Sequence, residues 1–269
     1  MQNNPVDFEN YLICVQDEGI IAKSRYKIDQ SHVFGPDSDY TTLAISAINY
    51  FRRNLDVNNF VIDENIEIEI LQACGYLHDE SSVWKIICDQ KSAELCITKG
   101  NKLSSYIDGY EIDSDFIKDI QNAWIKEGNS ISQGAYISEQ SYNLSIAGRI
   151  NLEAQKIGGK HVWPPREFPN SESDIVYSKL SRSGTIQSWT KLAAGGAPSE
   201  FSIRAPILGG VSTVFVELND GPNGVFLVAD DDDSELEIGK SVDLVVRKIY
   251  AQEGSVRYGL KATIPSIQA

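Results

Sequence analysis

Ile207-Leu-Gly-Gly-Val-Ser-Thr-Val-Phe-Val-Glu-Leu218 is followed by Asn219-Asp-Gly-Pro-Asn-Gly224 and then by Val225-Phe-Leu-Val-Ala229. Two apolar, β-branched runs separated by a cluster of turn residues read as a β-hairpin. The same punctuation recurs on either side. Upstream, the turn Leu180-Ser-Arg-Ser-Gly184 precedes T-I-Q-S-W-T-K-L at residues 185–192. Downstream, Ile238-Gly-Lys-Ser241 leads into a run at residues 242–250, and Glu253-Gly254 turns the chain into a last run at 257–263. Five short strands with a glycine near most corners fit a small Greek-key barrel of the OB type, which hides most of its sheet edges by closing on itself.

With 269 residues the chain has room for a second unit beside the barrel. Composition is that of a soluble globular protein, 42% hydrophobic and 23% charged. No apolar run approaches the roughly 20 residues of a membrane span. The opening M-Q-N-N-P-V-D-F-E-N lacks a basic stretch followed by an apolar one, so cytoplasmic residence is the expectation. Cys14, Cys74, Cys88 and Cys96 never form a C-x-x-C pair, which suits reduced thiols packed as small apolar groups. The formal net charge is −14. OB barrels that bind single strands use a basic groove, and this balance argues against nucleic acid. Lys179, Arg182, Lys191, Arg204, Arg247, Lys248, Arg257 and Lys261 are nevertheless spread along the barrel as material for a local patch. The run Asp230-Asp-Asp-Asp-Ser-Glu-Leu-Glu237 reads as a solvated loop that would repel phosphates, and it lacks the glycine-punctuated spacing of a calcium loop.

Before the barrel, Phe8, Tyr11, Leu12 and Val15 fall at near-helical spacing within residues 7–17, and residues 19–28 read as a strand and turn. Ser38 or Asp39 is placed to cap a helix over residues 41–55, whose apolar face carries Ala44, Ala47, Ile48, Phe51 and Leu55. The alternation I-E-I-E-I-L at residues 66–71 predicts a strand, as do V-W-K-I-I-C and A-E-L-C-I within residues 82–98. Residues 114–124 predict a second amphipathic helix, and residues 142–157 a connecting helix stopped by Gly158-Gly159. Then comes Gly158-Gly-Lys-His-Val-Trp-Pro-Pro-Arg-Glu-Phe-Pro169, where adjacent prolines fix an extended arm with Trp163, Arg166 and Phe168 around them.

The connecting helix, Gly-Gly, W-P-P-R, S-G-T-I-Q-S-W-T, A-P-I and R-Y-G-L-K together resemble domain of unknown function 35, over residues 141–265. Its members are acyl-CoA-associated OB-fold proteins with a zinc ribbon ahead of the barrel. The resemblance implies a barrel that is not itself a catalyst. It implies instead a subunit that binds a thiolase-like or HMG-CoA-synthase-like condensing enzyme and helps shape the channel for CoA or an acyl carrier arm. The ribbon's two cysteine pairs are absent here, and His161 alone cannot supply the four ligands of a closed zinc site, so zinc is not expected. Asp39, Thr42, Ala44 and Ala47 are similar to the D-x-x-T-x-A-x-x-A helix that opens HMG-CoA-synthase-like thiolase folds, which would make the N-terminal half a reduced thiolase-like remnant.

The fold expected is α+β: an N-terminal α/β domain (residues 1–137), a connecting helix with a metal-free, ribbon-like, proline-rich arm (138–172), and a five-stranded OB-type barrel (173–269). The function expected is that of a non-catalytic accessory subunit in a hetero-oligomer. Its partner-binding residues are Trp163, Pro164, Pro165, Arg166, Phe168, Trp189 and Pro206, with no cofactor of its own and with acyl-CoA or acyl-carrier phosphopantetheine met through the partner. Aromatic and arginine side chains bury large areas, and prolines have little freedom left to lose, so both anchor interfaces well. Two alternatives come from other classes. An acyltransferase or thioesterase would use Cys74 as nucleophile, with His78 and Glu80 near it in sequence. A single-stranded nucleic-acid binder would use the barrel.

Overall fold

The computed structural model describes residues 5–129, 138–166 and 176–265. Chain order begins with β1 (Val6–Phe8), β2 (Tyr11–Gln16) and β3 (Gly19–Ser24), then β4 (Tyr26–Ile28) and β5 (Ser31–Val33). The helix α1 (Tyr40–Phe51) follows, then β6 (Asn59–Phe60), α2 (Ile68–Ala73), β7 (Leu77–His78), β8 (Lys85–Cys88), β9 (Glu94–Thr98), β10 (Tyr110–Glu111) and α3 (Ser114–Gly128). The second half comprises α4 (Glu139–Ile150), β11 (Glu153–Ile157), β12 (Lys160–Val162), β13 (Val176–Lys179), β14 (Ser183–Leu192), β15 (Val211–Leu218), β16 (Asn223–Val228), β17 (Ser241–Gln252) and β18 (Ser255–Thr263).

The last five strands close into a barrel in the order β14-β15-β16-β18-β17. All its pairings are antiparallel except a short parallel seam, Leu227 with Lys261 and Val228 with Ala262. That order, with the third strand beside the fifth, is the OB arrangement. Alternate residues Val214, Val216, Leu218, Phe226, Val228, Val242 and Leu244 fill its interior, together with Leu152, just before β11, and Ala154 of β11.

The N-terminal half is built on the sheet β1-β2-β3-β9-β8, antiparallel throughout. It therefore belongs to the α+β class rather than to parallel βαβ units. The predicted helix over residues 7–17 is instead the β1–β2 hairpin. Glu9 and Asn10 take φ of 51° and 64°, the left-handed pair a two-residue hairpin turn demands. The predicted strand at residues 66–71 is instead α2, because Ile66, Ile70 and Leu71 are buried at helical spacing while Glu69 sits in the first turn, where the dipole favours a carboxylate. The predicted helix over residues 142–157 ends at Ile150. Residues 153–157 continue as β11, and Gly158 and Gly159 (φ 56° and 81°) make the hairpin turn into β12.

The helix α1 starts at Asp39, whose carboxylate accepts from the Thr42 backbone N–H at 3.0 Å while the Thr42 hydroxyl accepts from the Asp39 N–H, a reciprocal capping box. Nine of its twelve residues are buried, which fits its place between the N-terminal sheet and β17. One core accordingly joins β2, β3, α1, α2, β8 and β9 to Tyr142 and Ile146 of α4 and to Val246 and Tyr258 of the barrel.

Beside this apolar core lies a buried ionic chain, and here the reading of residues 230–237 as a solvated loop fails at Asp230 and Asp231, while Asp233, Ser234, Glu235 and Glu237 are exposed as expected. Arg204, in the connection before β15, sits 2.9 Å from Glu127 of α3 and 2.9 Å from Asp230. Asp230 also takes Lys261 at 2.7 Å, and Lys261 reaches Asp37 at 2.8 Å. Arg247 faces Asp37 at 3.7 Å, and Asp231 is 5% exposed, accepting from the Asn10 side chain. Arg204, Arg247 and Lys261 are each 2% exposed or less and Arg257 is 5% exposed, so four of the eight cations considered for a surface patch belong to the interior.

Burial lifts the Asp231 carboxyl to about 6 although Arg247 opposes it. Burial acts the same way on Asp37, but there Lys261 and Arg247 outweigh it and hold the group below the usual carboxylate range. A raised folded pKa means that Asp231 contributes stability fully below its unfolded value of 3.8 and loses it as pH rises through about 6. Asp37 contributes above 3.8 and loses its share as pH falls through its depressed folded value. Asp231→Asn is therefore expected to gain stability relative to the parent as pH climbs from 4 to 7, by about 1–3 kcal/mol. Melting temperatures measured across that range check it; parallel curves for parent and variant would contradict it.

Candidate functional site

An apolar hollow of about 790 Å³ lies where α4, the arm after β12 and the strands β16–β18 meet. Each wall has a local cause. Ser138 caps α4, its hydroxyl accepting from the Ser141 N–H, so the helix presents Tyr142, Ser145 and Arg149 along one side of the hollow. Tyr142 ties that helix to the barrel, since its phenolic oxygen accepts the Tyr258 backbone N–H at 2.9 Å. Burial raises the Tyr142 hydroxyl to about 12 even with Arg257 nearby, so it stays a neutral donor and acceptor.

The arm forms the second wall. Trp163, joined to Pro164 by a cis peptide bond, stacks on Phe226 with ring centroids 5.9 Å apart and planes 20° off parallel. This seat needs Gly224, because a Cβ there would stand 2.9 Å from the Trp163 ring and 2.6 Å from that of Phe226. Gln155 of β11, 3% exposed, then fastens the chain beyond the prolines. Its amide donates to the Arg166 carbonyl at 2.7 Å and accepts the Arg166 N–H at 2.9 Å. A zinc ion would ordinarily hold such a knuckle, and the residues present do not fit one. Among the described residues from β11 to Arg166 only Glu153 and His161 carry a side chain of zinc-ligand type, and the His161 Nδ1 is engaged with the Asp220 carbonyl. Among the described residues no group of three or more His, Cys, Asp or Glu is arranged to hold a metal.

The third wall is the barrel: Val225, Phe226, Ile249, Tyr250 and Tyr258, with Arg257 between them. The Arg257 guanidinium lies 4.7 Å from the centre of the Tyr142 ring, and the residue is 5% exposed. Leu144 (80% exposed) and Val225 (67%) stand at the rim. Val225 pairs across the sheet with Phe215, itself exposed, so the apolar surface runs on over β15.

Of the residues expected to bind a partner, Trp163, Pro164 and Pro165 meet in this hollow. Arg166 is exposed beside it and is fixed through its backbone. Phe168 lies outside the described residues. Trp189, on β14, and Pro206, in the connection to β15, are exposed elsewhere and do not line the hollow. Cys74 caps the C-terminal end of α2, is 8% exposed, and has its thiol pushed up to about 11 by burial. A nucleophilic cysteine needs the opposite shift. Its neighbour in sequence, His78, is engaged at both ring nitrogens, with the Ile62 N–H and the Glu80 carboxylate. Tyr142, Leu144, Arg149, Val225 and Arg257 were not legible as site residues. Arg257 stood out only in the R-Y-G-L-K match and as one of eight dispersed basic residues, and nothing local in the sequence placed it opposite Tyr142, 115 positions earlier.

No family model and no curated protein matches the chain. A solved structure named "Ltp2-ChsH2(DUF35) aldolase" is similar at 17% identity, covering 48% of this chain and 98% of that one, with a TM-score of 0.34. The OB assignment rests instead on the strand order of the barrel. Among the described residues no helix is long and apolar enough to cross a membrane.

Proposed function

We propose that this chain is a non-catalytic accessory subunit that docks on a thiolase-fold condensing enzyme acting on acyl thioesters of CoA or an acyl carrier protein. The observation that carries the reading is the apolar surface formed by the arm and the barrel together. Trp163, Pro164 and Pro165 are held rigidly by Phe226 and Gln155, next to the exposed Leu144, Val225 and Phe215. A preformed surface of aromatic and proline side chains loses little entropy on association, and a contiguous exposed apolar area of this kind is typical of interaction sites. The partner class comes from the resemblance of residues 141–265 to domain of unknown function 35. Cys74, buried and with a raised pKa, is a poor nucleophile, and burial of Arg204, Arg247 and Lys261 leaves less basic surface for a nucleic-acid strand.

Purification of the tagged chain from its native source, with mass spectrometry of what accompanies it, tests the proposal. A stoichiometric thiolase-fold companion is expected, and Leu144→Asp combined with Val225→Asp should release it at least tenfold more readily. A monodisperse monomer with no such companion contradicts the reading.

A further inference from the structure

Arg257 poses a problem that the docking surface does not solve. Its guanidinium cannot lose its proton under ordinary conditions, yet the residue is 95% removed from solvent and its Nε has no hydrogen-bond partner. Among the described residues it forms no ion pair. Its guanidinium is set over the face of Tyr142. Among the described residues, the other three barrel-side cations that are 5% exposed or less each have a carboxylate beside them: Arg204 has Glu127 and Asp230, Lys261 has Asp37 and Asp230, and Arg247 has Asp37. A lone interior cation is costly unless something pairs with it.

Arg257 also lines the 790 Å³ hollow, whose other walls are mostly apolar or aromatic. That volume lies in the range of small-molecule sites, and the combination of an oily cleft with one convergent cation defines what it selects. Arg149, in the last turn of α4, lines the same hollow, where Glu153 is the lone carboxylate among the lining residues.

We infer that the cleft between α4, the arm and β16–β18 is a binding site for an amphiphile with one apolar chain and one anionic head, the head paired with Arg257 and the chain laid along Trp163, Phe226 and Tyr258. The tail replaces water on the aromatic walls. The head completes the planar donor fork that the fold leaves open, a geometry matched by carboxylate or phosphate oxygens. The inference is independent of the docking reading, because it concerns the isolated chain.

Titration calorimetry of the full chain with decanoate, decanol and decyl phosphate tests it, with Trp163 fluorescence as a second readout. At least one anionic probe is expected to bind about tenfold or more tightly than decanol, the ratio implied by one charge-assisted hydrogen bond. The tighter of decanoate and decyl phosphate identifies the head. Arg257→Met should erase the preference by weakening the anion and sparing the alcohol, and Arg257→Lys should retain part of it. Equal affinities for decanol and both anions in the parent chain would overturn the inference, as would an undiminished preference in Arg257→Met. The parent comparison needs no variant, so a misfolded Arg257→Met does not shelter the idea. A chain that binds decanoate but captures no condensing enzyme would sink the docking reading and leave this one standing.

Discussion

Arg204→Ala is expected to lower the free energy of unfolding by about 3–5 kcal/mol, the usual cost of removing one partner from a buried ion pair. In a chain of this size that corresponds to a fall in melting temperature of ~10 °C. Arg204 donates to both Glu127 oxygens at 2.9 and 3.0 Å, to Asp230 at 2.9 Å and to the Ile249 carbonyl at 2.6 Å, and it lies 3.8 Å from the centre of the Trp124 ring. Alanine takes from Glu127, 3% exposed, the guanidinium that meets both of its oxygens. Burial already outweighs Arg204 and holds the Glu127 carboxyl above its ordinary value. The variant's deficit should therefore shrink as pH falls and Glu127 takes up a proton. A double variant, Arg204→Met with Glu127→Leu, should recover most of the loss, because replacing both partners removes the desolvation cost along with the attraction. Urea unfolding of the parent and both variants decides the matter. A double variant as unstable as the single one would mean that Arg204 acts through the Ile249 carbonyl and Trp124 rather than through the charge pair.

The second large effect is expected at Asp37. It is fully buried, accepts from Lys261 Nζ at 2.8 Å and from the Asp230 backbone N–H at 2.9 Å, and faces Arg247 across a gap too wide for a hydrogen bond. Asp37→Leu strips the shared carboxylate from two cations that are themselves 1% exposed or less. A loss of about 3–5 kcal/mol is again expected, a large share of the roughly 5–15 kcal/mol that holds a typical domain together. Because Asp37 precedes α1 while Lys261 and Arg247 belong to the barrel, the damage should appear on both sides of that contact. Hydrogen exchange should quicken in α1 and in β17 together. Faster exchange confined to residues 5–129 would show that the charges do not couple the two halves.

The barrel was legible because its signals are local. Turn residues at 219–224, 239 and 253–254 bracket runs of β-branched and aromatic residues, and a closed barrel follows once five such runs stand in a row. The Asp39 cap was legible for the same reason. Misreadings arose where two periods coincide. Phe8, Tyr11, Leu12 and Val15 match a helical stripe, but Tyr11 through Cys14 are buried on both strand faces, and a doubly covered strand shows no alternation. I-E-I-E-I-L alternates, but only Ile66 and Ile70 of its isoleucines are fully buried, four residues apart. Gly158-Gly159 serves a helix stop and a hairpin equally well. The ionic chain was not legible because burial of Asp230 and Asp231 depends on partners 193 and 221 positions away, and no window of sequence contains both ends. The cleft was half legible. The Trp-Pro-Pro arm announced itself by composition, whereas Arg257 gains its meaning only from the helix and rings folded around it.

The contact between Asp37 and Lys261 spans 224 positions, and β18 also pairs with both β16 and β17 in the closed barrel. Synthesis proceeds from the amino end, so α1 and the Asp37 carboxylate just before it leave the ribosome long before Lys261 and the strands β17 and β18 that cover them. Such non-local wiring makes for slow acquisition of the native state and a long interval in which sticky surface is open to chaperones or to association. A ribosome stalled before residue 255 should therefore carry a protease-sensitive nascent chain, and one released past residue 263 a resistant one.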